Sequence, residues 1–418
     1  MQQTTSTPDF VPADLPSSSA TTPASLIWAY RLFWLTFLVF FASTAAGKLW
    51  DRIYHLTVTF DTFWSPPHFF VFVMTTTSGL MVAGIASRPK LRVWFGPSVR
   101  APIIGWKMAG TLVILGAGLI ALSIDIMCDN FWHTAFGLDE TQWSVPHDAL
   151  TWCWFTIIMG FIAARMAFRQ YRPLGWLTKA VIGFLMLEFL CPPILGPFYL
   201  NYSPHLLNAL RSVPIVRAEG TAQHMYRIYL VAGITRQTSP LFIPEVALFV
   251  GAALALLRKI DARARIYLLV PFVWSLSMIG RDLYTLLFIH YDGITRVAQI
   301  PPAALKEPSL WVPIPLFLAA ICTVILRRRS LTENRIYLVT GFIFAICTFF
   351  IWHNNNLMLL LAFPAAFTML LGSRIGSWFY GFMEEPSTEK LMLFLSIACG
   401  QIPAFWGIVD LILRRTIP

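Results

Sequence analysis

Apolar runs of about twenty residues, separated by short polar stretches, recur along most of the chain. They fall near 26–47, 68–87, 103–124, 147–168, 174–195, 239–257, 265–286, 311–327, 336–352, 356–373 and 390–412. Each is close to the ~20 residues an α-helix needs to cross a bilayer. The pattern predicts an all-α fold, a polytopic transmembrane helical bundle of about 10–11 spans. The stretch 196–238 interrupts it with Asn201-Tyr202-Ser203-Pro204-His205 and several arginines. That stretch reads as an extramembrane loop or a re-entrant segment. Residues 1–25 are rich in Ser, Thr, Pro and Ala and carry Asp9 and Asp14. Without a basic region leading into an apolar core, they are expected to form a disordered tail rather than a cleaved signal.

Composition agrees with the spans. The 418 residues are 57% hydrophobic and only 12% charged, with a mean hydropathy of +0.64. A soluble domain could not bury so much apolar surface. The formal net charge of +10 does not point to nucleic acid, because the cations sit in short loops rather than in a basic stripe. Arg88, Lys90, Arg92, Arg100 and Lys107 follow the second run, and Arg165, Arg169 and Arg172 the fourth. Arg258, Lys259, Arg263 and Arg265 follow the sixth, and Arg327, Arg328 and Arg329 the eighth. This alternation predicts a cytoplasmic N-terminus and places connections 48–67 and 125–146 on the outer side. Arg414 and Arg415 break the alternation if there are eleven spans. The six cysteines form no CxxC or CxxCH, so neither a disulfide framework nor a covalent haem is indicated.

Against this background a near-repeat stands out. Residues 51–68 read DRIYHLTVTFDTFWSPPH, and residues 129–147 read DNFWHTAFGLDETQWSVPH. Asp51, His55, Asp61 and His68 correspond to Asp129, His133, Asp139 and His147. Each copy follows one apolar run and ends in a His that opens the next, so residues 26–170 divide into two helix–motif–helix units. Asp51 and His55, like Asp129 and His133, stand four apart, a spacing that stacks two residues on one helix face. Pro67 before His68 and Pro146 before His147 mark helix starts. A helix end, a turn and a helix start can bring three ligands to one point. Two imidazoles and a carboxylate suit copper, zinc or iron, and match a ferrous facial triad. Asp61 and Asp139 can orient an imidazole through its second nitrogen or complete the coordination. The alternative is a structural hydrogen-bond network. It must explain eight ionisable groups at or near membrane depth, each costing ~2.5–3.5 kcal/mol on insertion scales if ionised and uncompensated.

The first motif, Asp51-x3-His55-x12-His68, resembles the copper-binding motif of the C subunit of particulate methane and ammonia monooxygenases. The likeness extends to Tyr54-His55, Asp61-Thr62 and Trp64-Ser65-Pro66-Pro67-His68, where that family shows Trp-His, Asp-Thr and Phe-Thr-Pro-Ser-His. The second motif is similar to that subunit's Asn-x3-His-x13-His site, with Asp129 in place of Asn. His133-Thr134 and Asp139-Glu140 fall where the family has His-Thr and an acidic pair. The resemblance is distant and covers roughly residues 30–170. Residues 171–418 carry further apolar runs without a recognised counterpart, and the H-x-H pair of the family's B subunit is absent.

The resemblance implies copper as the metal, with iron or zinc as alternatives. It also implies an oxygenase, or a subunit of one, acting on a small apolar substrate beside partner subunits and an electron donor. The expected location is a bacterial inner (plasma) membrane, in contact with lipid. Two other classes stay open: a membrane metal transporter, chaperone or sensor, and a metal-free protein with Asp–His networks. Glu188, Glu245, Arg281, Asp282 and Asp410 fall in or near predicted spans and are further candidates for function.

Overall fold

A computed structural model describes residues 23–47, 50, 64–101, 105–136, 145–176, 178–179, 181–182, 185, 242–261, 267–268, 272, 313–352, 357–401, 404–405 and 408. The described chain is almost wholly helical, and five of its helices are long and apolar enough to cross a membrane. The N-terminal tail and the 196–238 stretch lie outside the described residues.

The first four long helices are α1 (Ala24–Ala42), α2 (Pro66–Ala86), α3 (Gly110–Phe136) and α4 (Val145–Ala167). A π-helical turn, Ser43–Gly47, continues α1. Between α2 and α3 the chain forms a one-turn helix, Pro89–Arg92, and a hairpin of β1 (Ser98–Arg100) and β2 (Lys107–Ala109). The hairpin explains a departure from expectation. The third apolar run begins near residue 103, but the helix starts only at Gly110, because Lys107–Ala109 are paired as a strand. At the other end α3 continues through Asp125 and Asp129 to Phe136, into the segment expected to be a connection.

The α3–α4 pair packs closely because glycine lies on both sides. A Cβ on Gly118 would come within 2.7 Å of Ile157, and one on Gly160 within 2.8 Å of Leu115. Phe161 of α4 receives the rings of Phe33, Phe37 and Phe40 at centroid distances of 6.1, 5.4 and 5.5 Å. Threonine hydroxyls within the helices are satisfied locally, as with Thr36 to the Leu32 carbonyl and Thr156 to the Trp152 carbonyl. The outward faces present Leu35, Leu38, Leu80, Ile120 and Ile124, all exposed. These are surfaces that hydrocarbon, not water, can cover.

Arg165 closes the end of α4. Its side chain is 2% exposed. Nη2 donates to the carbonyls of Arg172 and Pro173 at 3.0 and 3.2 Å, and the guanidinium lies 5.6 Å from the Tyr30 ring centroid. Arg165→Met is expected to lower unfolding free energy in detergent by about 3 kcal/mol, because two charge-assisted bonds and a cation–π contact are lost together. Arg165→Lys should recover less than half, since the ammonium loses the planar guanidinium that lies over Tyr30 and is held in place for both carbonyls. Denaturant titration followed by tryptophan fluorescence measures both.

The C-terminal half contains α5 (Phe242–Ile260), α6 (Pro313–Arg328), α7 (Glu333–Trp352), α8 (Ala362–Glu384) and α9 (Thr388–Ser396). Its closest pair is α5 with α8. Gly372 and Gly376 form a GxxxG step on α8, and their missing Cβ atoms face the backbone carbonyls of Leu248 and Ala252. Gly251 of α5 faces the Met369 carbonyl in return. Small residues at such a crossing let backbones touch, the usual route to tight helix pairs in lipid. Thr323 and Thr340 link α6 to α7 at 3.3 Å. The two halves meet along α4. Arg169 donates to the Tyr380 hydroxyl at 2.6 Å and pairs with Glu384, and Trp152 lies 6.0 Å from Phe249.

Candidate functional site

The two motif copies enter their following helices in the same way. Pro66, Pro67 and His68 are the first three residues of α2. Val145, Pro146 and His147 are the first three of α4. Proline suits this place because first-turn N–H groups have no partner within the helix. Each His therefore occupies the third position of a helix that a proline has started. His68 itself is half-buried.

Upstream of His147, Asp129 and His133 lie on the last two turns of α3. The helix is still regular there, with the Thr134 hydroxyl donating to the Asn130 carbonyl at 2.8 Å. Positions 129 and 133 thus share a face one turn apart, and Asp129 is half-buried. Trp94 bonds Ser25 at one end of the unit, and Arg165 stacks on Tyr30 near that same end. With α1 to α4 running alternately up and down, His68, Asp129, His133 and His147 fall at the opposite end, away from cationic stretches 88–107 and 165–172.

Asp51, His55 and Asp61 of the first copy, and Asp139 of the second, lie outside the described residues. For His133 and His147 only the backbone is described. Among the described residues no three His, Cys, Asp or Glu side chains converge on one point. The backbone nevertheless suits the donor set the motif supplies: two ligands at a four-residue step on a helix end and a third on the start of the helix packed beside it. Nitrogen and carboxylate donors in that combination fit copper, iron or zinc.

One residue the motif pattern omitted belongs to this neighbourhood. Asp125 is buried on α3, one turn deeper than Asp129. Together with Cys399 it lies within electrostatic reach of the buried Cys153 thiol on α4. Cys399, on the π-helical turn Ile397–Gln401, stands 3.5 Å from the Thr156 hydroxyl. The signal was present in the sequence, because Asp125, Asp129 and His133 follow at four-residue steps. Glu245 is half-buried in the first turn of α5; Glu188, Arg281, Asp282 and Asp410 lie outside the described residues.

No protein-family model, no curated protein and no solved structure matches this chain.

Proposed function

We propose that the chain is an integral membrane metalloprotein with two sites, one at Asp51, His55 and His68 and one at Asp129, His133 and His147. The observation that carries the reading is the second copy. Its three ligand positions fall on the last two turns of α3 and the first turn of α4, helices that pack against each other, with the His at the same helix position as His68 in the first copy. Copper is the preferred metal, with iron or zinc as alternatives. In this reading the imidazoles and the carboxylate hold the ion, while Asp61 and Asp139 orient imidazoles. The apolar helix faces exclude water and admit a small apolar substrate. A reduced copper or iron ion with open positions supplies oxygen-activating chemistry, so the chain serves as an oxygenase or a subunit of one. Electrons then come from a donor or a partner subunit.

A second reading is metal handling without redox chemistry, as a transporter, chaperone or sensor. Asp125 favours it, because it sets a buried carboxylate one turn deeper in the bundle than the second motif.

Metal content of the protein purified in detergent tests the proposal. Near-stoichiometric copper at both sites, falling by about one equivalent in His55→Ala and again in His133→Ala, is the expected result for independent sites of this kind. No bound metal in wild type after copper is supplied without chelator would sink both readings and leave the motifs as hydrogen-bond networks. Oxygen consumption with candidate substrates then separates oxygenase from metal handler.

A further inference from the structure

At the end of the bundle opposite the motifs, a cleft of about 730 Å³ opens between the start of α1 and the turn after α2. Trp28 and Leu32 of α1 form one wall, and Pro89 and Leu91 form the other. Arg88 and Lys90 stand at its mouth. Both are exposed, and among the described residues neither makes an ion pair or a side-chain hydrogen bond. By contrast Arg92 is engaged, with Nη1 donating to the Ala86 carbonyl at 3.3 Å. A third cation, Arg31, lies over the Trp28 ring at 5.4 Å from the centroid.

Among the described residues no acidic side chain lines the cleft. The sequence contains no Asp or Glu from Pro23 to Trp50, nor from Trp64 to Ile124. The positive charge is therefore not neutralised by its own helices. The apolar wall leads outward along α1, where Trp28, Leu35 and Leu38 are 56%, 50% and 56% exposed. Their steps of seven and three residues place them on one face of α1, so they form one stripe on the lipid-facing side. The cleft thus joins a cationic mouth to an apolar track running along the membrane.

From this we infer that the cleft binds one anionic phospholipid. The phosphate sits between Arg88 and Lys90, and an acyl chain lies against Trp28, Leu32 and the exposed stripe of α1. Charge complementarity selects the headgroup, and the apolar track selects a lipid over a free anion. Basic pockets beside transmembrane helices recognise anionic headgroups in this way. The cleft volume is in the range of small-ligand sites. The site is independent of the metal positions, which lie at the other end of the unit.

The test uses the full chain reconstituted into phosphatidylcholine vesicles containing a minor share of phosphatidylglycerol. It is then extracted in mild detergent, and the retained lipid is identified by native mass spectrometry. Wild type is expected to retain phosphatidylglycerol in strong preference to phosphatidylcholine. R88Q/K90Q should lose about thirtyfold of that preference, the effect of two interfacial cations. The matched variant R100Q/K107Q removes the same charge from the hairpin and should retain the lipid as wild type does. Equal loss in both variants would mean diffuse surface attraction and overturn the site. Displacement of the lipid by inorganic phosphate at the same concentration would also overturn the proposal, since the acyl track would then contribute nothing. Unchanged retention in R88Q/K90Q would do the same.

Discussion

Gly372→Val is expected to unfold the C-terminal half or leave it trapped without a native α5–α8 pair. The Cβ of any residue at 372 would overlap the Leu248 carbonyl oxygen, and the Leu248 carbonyl carbon lies only 2.7 Å from the same point. These are backbone atoms, so no change of rotamer relieves the overlap. The helices must separate, and that opens the neighbouring contacts of Gly251 with Met369 and of Gly376 with Ala252. Overpacking a tight interface costs ~1–3 kcal/mol, occasionally more. Gly372→Ala should fall near ~2 kcal/mol, and valine, with two further methyl groups, at ~4 kcal/mol or beyond. Gly381, on the same helix, has nothing within 4 Å of its would-be Cβ. Gly381→Ala should therefore be neutral or stabilise by up to ~1 kcal/mol through helix propensity alone. Denaturant unfolding of the three variants in one detergent decides the matter. A Gly372→Ala protein as stable as Gly381→Ala would show that α5 and α8 do not cross as described.

The second large effect concerns the metal. In His133→Ala and in His147→Ala, affinity at the second site is expected to fall by at least about a hundredfold, the upper end of what even a ligand's supporting hydrogen-bond partner contributes. The double variant should lose little more than either single one, because the three ligands act as one chelate and their effects do not add. Metal at the first site should stay. Asp129→Asn keeps an oxygen donor but removes its charge, and is expected to weaken binding by about tenfold without abolishing it. Imidazole binds metal only when neutral, so occupancy should decline as the pH is lowered. Competition titration against a chromogenic chelator reads all four variants. Additive losses would mean that His133 and His147 serve different ions.

Hydropathy placed several helices within a few residues. The runs at 26–47, 68–87, 147–168 and 336–352 appear as Ala24–Ala42, Pro66–Ala86, Val145–Ala167 and Glu333–Trp352. It failed where backbone pairing and lipid match diverge. The third helix begins late because Lys107–Ala109 pair in a hairpin, and it ends late because Asp125 and Asp129 close an apolar window without stopping i→i−4 hydrogen bonding. The same cause moved the helix expected at 356–373 to Ala362–Glu384, where Arg374 closes an apolar window without stopping the helix. Leu357–Leu360 forms a separate turn. Of the last run, expected at 390–412, the described residues form the helix Thr388–Ser396 and the π-helical turn Ile397–Gln401 that continues it. The helix positions of the candidate residues were legible where spacing mattered, at Asp129, His133 and the proline-started His68 and His147. The four-residue step from Asp125 to Asp129 was present in the sequence too, but the nearness of Asp125 to Cys153 and Cys399 was not, because only the packing of α3, α4 and the 397–401 turn brings distant parts of the chain together.

The length of α3 has a consequence for hydration. From Gly110 to Asp129 there are nineteen steps, and at ~1.5 Å each they span ~28 Å, nearly the ~30 Å thickness of bilayer hydrocarbon. With Gly110 at one boundary, Asp125 is still inside, Asp129 reaches the far boundary, and His133 stands one turn beyond it. In that placement the three positions sample three solvents along one helix face: hydrocarbon, headgroup and water. An ion held at the second motif, as proposed, would therefore exchange its waters directly with one compartment, with Asp125 marking the depth at which that exchange stops.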